Sequence, residues 1–247
     1  IFYDICDELG ILVWQDFMYS CALYPGDSIF MHNAEVEARE QVSRLRNHPC
    51  LAIWCGNNEV KNGWEDWGWQ ANYKPKHRTE KESDMHTLFD TLLAEIVTEN
   101  DPYRPYVTSS PLWGWGHPEC CTQGDSHYWG VWWGELPFEM WEEKTGRFMS
   151  EYGFQSYPSM ATIVSFTNDK ERNLNSAAMK NHQKHARGVQ IINKALDQYF
   201  YIPEKFTDYV YLSQLVQAYG IGQAIEVHRR KQPHCMGTLY WQLNDCW

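Results

Sequence analysis

With 247 residues, 43% of them hydrophobic and 15% aromatic, the chain is long enough to bury a sizeable core as one large domain. Its formal charge of -11 argues against nucleic-acid and anionic-membrane partners, which require basic surface to displace counterions, and favours neutral ligands. No run of 18 consecutive apolar residues occurs, so a membrane span is not expected.

In chain order, Ile1 to Leu9 reads as the end of a helix stopped by Gly10. It starts in mid-pattern without a capping residue, and the expectation is that more chain precedes it. Ile11 to Gln15 is a short apolar run closing at Asp16, as in a buried strand. Glu35 to Arg46 is a charged amphipathic helix, followed by a turn at Asn47-His48-Pro49 and a strand from Leu51 to Cys55. The unit then repeats. Ser83 to Glu99 carries apolar residues at 85, 88, 89, 92, 93, 96 and 97, a helical face for which Ser83 serves as cap, and Tyr106 to Ser109 follows as a strand. Asp125 to Trp129, Arg147 to Ser150 and Gly237 to Trp241 are three further strands, with helical stretches at about 176–198 and 207–231 before the last.

Six strands separated by helices or long loops imply a parallel sheet, because each return needs a crossover. Polar and aromatic residues sit after the strands, the polarity of a (β/α) barrel whose site is built at the C-terminal strand ends. An open doubly wound sheet is the rival, but no Gly-rich phosphate loop follows any strand. The fold class expected is therefore α/β, a truncated (β/α)8 TIM barrel holding about the third to eighth βα units. Residues 1–247 would be one incomplete catalytic barrel domain, with the first two strands lying upstream. Two open sheet edges would make the isolated segment prone to aggregate.

The eight cysteines, at positions 6, 21, 50, 55, 120, 121, 235 and 246, show no disulfide-framework spacing and read as buried free thiols. His117, Cys120, Cys121 and His127 are metal-capable residue types, but adjacent cysteines chelate poorly and no CxxC pair exists. Neither a metal nor any other cofactor is expected.

Two segments carry the chemistry. Trp54-Cys55-Gly56-Asn57-Asn58-Glu59 and Arg147-Phe148-Met149-Ser150-Glu151-Tyr152-Gly153 each hold an apolar run that stops at a glutamate. A carboxylate at the edge of a core is costly unless something pairs or uses it. Glycoside hydrolysis needs one carboxylic acid to protonate the leaving oxygen and a second carboxylate on the other side of the anomeric carbon, and Glu59 and Glu151 fit those two jobs. The 13 Trp supply flat faces on which sugars stack.

Asn47-His48-Pro49 followed by the strand ending Asn57-Asn58-Glu59 resembles the acid/base strand of family 2 glycoside hydrolases, specifically their β-mannosidase branch. Tyr3-Asp4-Ile5-Cys6-Asp7-Glu8-Leu9-Gly10-Ile11 with Val13-Trp14-Gln15-Asp16-Phe17 resembles that branch's second helix and third strand. Asp125-Ser126-His127-Tyr128-Trp129-Gly130 resembles its sixth strand, Ser150-Glu151-Tyr152-Gly153 its seventh, and Tyr240-Trp241-Gln242-Leu243-Asn244-Asp245 its eighth. The resemblance implies a retaining, exo-acting β-mannosidase with Glu59 as acid/base and Glu151 as nucleophile. It further implies Asn58 near the 2-hydroxyl and Trp241 as the floor of the non-reducing sugar's subsite. An aromatic or histidine near the nucleophile would come from among His127, Tyr128 and Trp129. Trp67 and Trp115 would be pocket walls, and Asp16 a support or a hydroxyl ligand. The expected partner is a β-mannoside or related oligosaccharide, together with N-terminal β-sandwich domains of the same chain. Without those domains and the first two strands the segment alone is expected to be inactive. Two alternatives stay open: another β-glycosidase of the family, acting on galactosides, glucuronides or glucosaminides, or a non-catalytic carbohydrate-binding protein. Family members occur in bacterial and lysosomal settings, so the compartment stays open too.

Overall fold

The computed structural model describes residues 1–244, which fall into two compact units divided between Gly114 and Trp115. No helix among these residues is long and apolar enough to cross a membrane. Every strand pairing among them is parallel.

In the first unit, α1 (Phe2–Leu9) ends where the sequence suggests, with Gly10 in the left-handed region at φ 66°. After β1 (Val13–Asp16), α2 (Ser28–Leu45) begins a full turn and more before the pattern suggests, because Asp27 caps it. Its carboxylate accepts from the Ile29 and Phe30 amides at 3.0 Å. The stripe Ala34, Ala38, Val42 and Leu45 is the face that α2 buries. β2 (Leu51–Cys55) has the expected limits and leads into the short α3 (Val60–Glu65). Ser83, expected as a cap, instead lies inside a helical rod: α4 (Pro75–Met85) runs through a π-helical stretch, His86–Leu92, into α5 (Leu93–Asn100). Pro75 supplies the true start, where a missing N–H removes no helix bond. β3 is only Tyr106–Val107. The sheet order is β1-β2-β3, pairing Asp16 with Cys55 and Cys55 with Val107. Single bridges from Asn58 to Ser20 and to Ser110 carry this alignment beyond the strand ends.

At the other end of β2 sits a buried ionic clamp. Asp101, 4% exposed, accepts from Trp54 Nε1 at 2.9 Å and from Arg104 Nη1 at 2.9 and 3.0 Å. Arg104 also donates to the carbonyls of Leu51, Arg46 and His48, so one guanidinium satisfies the backbone that enters the strand.

The second unit contains β4 (Ser126–His127), β5 (Met149–Glu151), α6 (Met160–Phe166), α7 (Ala177–His182), α8 (Gly188–Tyr199) and α9 (Phe206–Arg230). The single helix expected over 176–198 is thus two, and α6 has no counterpart in the sequence reading. The strand expected at Gly237–Trp241 shrinks to a bridge between Thr238 and Met149. Leu239 N bonds Met149 O and Trp241 N bonds Tyr152 O, both at 2.8 Å, a slip of one residue that breaks the ladder. Trp141, Tyr152, Tyr157, Met149 and Ile192 are buried at the centre of this unit, against Val216 and Ala224 of α9.

His228 of α9 is 1% exposed, and its Nδ1 lies 2.9 Å from Thr238 Oγ1, an atom that also bonds the Tyr152 hydroxyl at 2.8 Å. Burial first, and then the charge of Lys231, push its pKa down to about 4. The unfolded imidazole titrates near 6.5, so below that pH the unfolded state binds the extra proton and native stability falls until about pH 4. The loss amounts to about 3 kcal/mol. Urea midpoints of the whole protein should show this limb, and His228→Phe should flatten it. An unchanged slope in the variant would refute the assignment.

Candidate active site

Glu59 follows β2 through a tight turn at Gly56 and Asn57. A Cβ on Gly56 would lie 2.3 Å from the Tyr106 hydroxyl and 2.4 Å from the Thr108 carbonyl, so the close approach requires glycine. Asn57, 1% exposed, braces the turn. Its Oδ1 accepts from Val60 N at 3.1 Å and Ser109 Oγ at 2.9 Å, and its Nδ2 donates to Thr108 O at 2.9 Å. Glu59 itself is in the left-handed region, φ 60° and ψ 10°, which costs a non-glycine residue about 1–3 kcal/mol. It is fixed there by Glu59 N to Ser110 O at 2.8 Å and Gly63 N to Glu59 O at 2.9 Å. Its side chain is half-buried, and the Cys21 thiol, on another left-handed residue, donates to Glu59 Oε2 at 3.5 Å. Asn58 projects beside it, with Nδ2 bonded to Ser20 Oγ at 3.2 Å.

The two other first-unit candidates are Asp16, at the end of β1 in register with Cys55, and Trp67. Asp16 accepts from Trp14 Nε1 at 2.8 Å and lines a separate cavity of about 200 Å³ with Glu37, Gln41 and Arg44. Trp67, 48% exposed, stands edge-on to Trp69 at 5.9 Å in the loop after α3. A different first-unit cluster, Asp4, Asp7 and His48, brings its ligand-type atoms within 4.8 Å of one another, but Asp7 is already committed to His48 Nδ1 at 2.6 Å and Cys50 N at 2.8 Å.

In the second unit Glu151 is the last residue of β5 and is 8% exposed. One of its oxygens, Oε2, lies 3.2 Å from Trp129 Nε1, which donates to it, and 3.4 Å from His127 Nδ1. Asp125 Oδ2 is 4.0 Å from the other His127 nitrogen and accepts from Ser150 Oγ at 2.6 Å. Two ring nitrogens meeting at the one oxygen, Oε2, restrict the orientation of the carboxylate.

Trp129 and Trp241 both line a cleft of about 360 Å³. Trp241 is 53% exposed, and its carbonyl passes so close to Gly153 that a Cβ there would come within 2.3 Å. Among the other lining residues, the sequence reading missed Trp132, Tyr157, His182, Lys184 and Gln217. Most come from loops and helices of the later chain, where no local pattern separates a lining residue from a packing one.

Tyr128 is turned away from that cleft. At 1% exposure it packs edge-on between Trp115 at 6.2 Å and Trp141 at 5.7 Å, and burial pushes its hydroxyl up to about 12. The alternation of a strand explains this, since its neighbours His127 and Trp129 then share the opposite face. Trp115 is 39% exposed and is not part of the cleft wall.

No family model matches the chain. Across its whole length it is 34% identical to a β-mannosidase of Bos taurus over 275 aligned residues, and 35% identical to β-mannosidase B of Thermothelomyces thermophilus over 266. The chain spans about 30% of the length of these curated relatives. Among solved structures, the β-D-mannosidase of Dictyoglomus thermophilum superposes on all of it with a TM-score of 0.88 and 39% identity, over 29% of that protein's chain. Blocks that resemble one branch in sequence thus lie within an alignment that runs from end to end, and the chain belongs to the β-mannosidase branch of the family 2 glycoside hydrolases.

Proposed function

We propose that the protein carrying this chain is a retaining β-mannosidase that removes mannose from non-reducing ends, and that the chain forms the third to eighth βα units of its (β/α)8 barrel. The observation that carries this reading is the Glu151 carboxylate, buried at the end of a parallel strand, gripped by Trp129 and His127 and set beside a tryptophan-lined cleft.

In this reading Glu151 attacks the anomeric carbon as the glycosidic bond breaks, and Glu59 gives its proton to the departing oxygen. Glu59 then takes a proton from water, which releases the sugar from Glu151 with its original configuration. Trp129 and His127 keep the nucleophile aimed, and orientation of this kind supplies much of the rate. The rigid turn around Asn57 does the same for Glu59. Asn58 bonds the sugar near its 2-hydroxyl, a contact that strengthens as positive charge builds at the anomeric carbon. Trp241 offers its exposed face as a platform for the ring. Trp67, Trp115 and Asp16 lie outside this minimal set and act as outer walls or supports.

The test is a panel of aryl β-glycosides on the whole protein, with the anomer of the released sugar followed by NMR, and a crystal structure of that protein. The mannoside should be preferred, the product should appear first as the β-anomer, and the Glu59 and Glu151 carboxyl oxygens should lie about 5 to 5.5 Å apart. Preference for a galactoside, glucuronide or glucosaminide would move the substrate assignment. An α-anomer with a separation of about 6.5 to 9.5 Å would replace retention by inversion. Binding without turnover would leave only a carbohydrate-binding protein.

A further inference from the structure

Cys120 and Cys121 have no part in the chemistry proposed above, yet their sulfurs converge. They close the 3-10 turn Pro118–Cys121, and their Sγ atoms lie 3.5 Å apart as free thiols. Neighbouring side chains on such a turn leave the axis about 120° apart, so the approach comes from the rotamers chosen and not from the backbone alone. Cys120 is 2% exposed and directs its thiol toward the Trp115 carbonyl at 3.8 Å, while Cys121 is half-buried and reachable.

Two thiols so placed have two obvious fates. A disulfide between them is disfavoured, because Cα atoms joined by one trans peptide are about 3.8 Å apart, short of the roughly 4.4 Å that disulfides ordinarily span. Bridging by one thiophilic atom makes no such demand. With two bonds to sulfur of about 2.3 Å meeting a little above a right angle, as at a pyramidal trivalent centre, the two sulfurs would stand about 3.4 Å apart, close to where they already are. The surroundings favour the reactive form. The contact with the Cys120 thiol, and then the charges of Lys144, His234 and Lys231, lower the pKa of the Cys121 thiol and favour its thiolate.

We propose that Cys120 and Cys121 form a vicinal dithiol site that captures trivalent arsenicals, the ligand class that bonds both sulfurs through one atom. With phenylarsine oxide, two As–S bonds replace the arsenic–oxygen bonding, and the two thiol protons leave with the oxygen as one water. Arsenic remains trivalent, so no oxidant or reductant is involved. Capture removes the Cys120 thiol's contact with the Trp115 carbonyl.

Phenylarsine oxide titrated into the whole protein, read by intact-mass spectrometry and by counting thiols left open to alkylation, tests this. The expected adduct hides two thiols at once, survives excess 2-mercaptoethanol and is stripped by 2,3-dimercaptopropanol. Cys121→Ser should lose one adduct per chain or weaken it at least about 100-fold, since the second bond would no longer be intramolecular. Cys21→Ser, which removes an exposed single thiol, should not. Should Cys120→Ser fail to fold, the half-exposed Cys121 position carries the test alone. Undiminished labelling of the Cys121→Ser protein, or an adduct removed by the monothiol, would overturn the proposal.

Discussion

Glu151→Ala in the whole protein lowers turnover of an aryl β-mannoside by roughly 10⁴-fold or more, and added azide restores turnover with formation of the α-mannosyl azide. The geometry explains both halves of this expectation. Glu151 is the buried end of β5, held through Oε2 by Trp129 and His127, and alanine leaves a small void beside groups already arranged around an anion. Azide fits such a void and attacks the anomeric carbon from the side the carboxylate used. Glu59 remains available to protonate the leaving group, so one displacement occurs and the configuration inverts. The Trp129 indole N–H loses its acceptor in this variant, and circular dichroism should accompany the kinetics to show that the fold persists. Unaffected activity, or an azide product with retained configuration, would remove Glu151 from the nucleophile's role.

Arg104→Met, in contrast, should leave kcat near that of the parent while lowering stability by about 3–5 kcal/mol. The guanidinium neutralises Asp101 inside the first unit and bonds three backbone carbonyls at the entry to β2, so its removal strands a carboxylate that is 4% exposed. These contacts lie at the beginning of the strand, and Glu59 lies past its end. In parallel α/β folds the beginning of a strand serves stability and the end serves chemistry. Asp101→Asn combined with Arg104→Met should recover part of the loss, because the uncompensated charge is then gone. Denaturant midpoints and initial rates on the same preparations separate the two effects. A large fall in kcat with unchanged stability would contradict the division of labour.

Elements with strong local signals were legible in the sequence. β2 begins and ends at the expected residues because the apolar run Cys50 to Cys55 is bounded by Pro49 on one side and Gly56 on the other. α1 stops at Gly10 and α9 runs from Phe206 to Arg230, within a residue of the reading, because a glycine in the left-handed region and a long continuous pattern need no tertiary help. The failures share a cause as well. α2 starts at a cap, Asp27, in a stretch whose periodicity is weak, and the helix over 75–100 starts at Pro75 in a polar run with no buried face. At Gly237–Trp241 the apolar pattern is that of a strand, but the register slip between Met149 and Tyr152 leaves a single bridge.

The two glutamates, and the aromatic company they keep, were written in the linear order of residues: an apolar run that ends on an acid is visible without coordinates, since burying a charge demands a reason. The parallel α/β class followed from the alternation of strands and helices. Tertiary structure alone decided which atoms serve those acids. It put the rings of His127 and Trp129 against Glu151 while rotating Tyr128 into the core, twisted Glu59 into a left-handed turn braced by Asn57 and Ser109, and brought His182, Lys184 and Gln217 to the cleft of Trp241. The reason is one of range. Periodicity, caps and turn residues act over a few positions of the chain, whereas the direction of a side chain at a strand end is set by partners tens of residues away, whose packing must be satisfied at the same time.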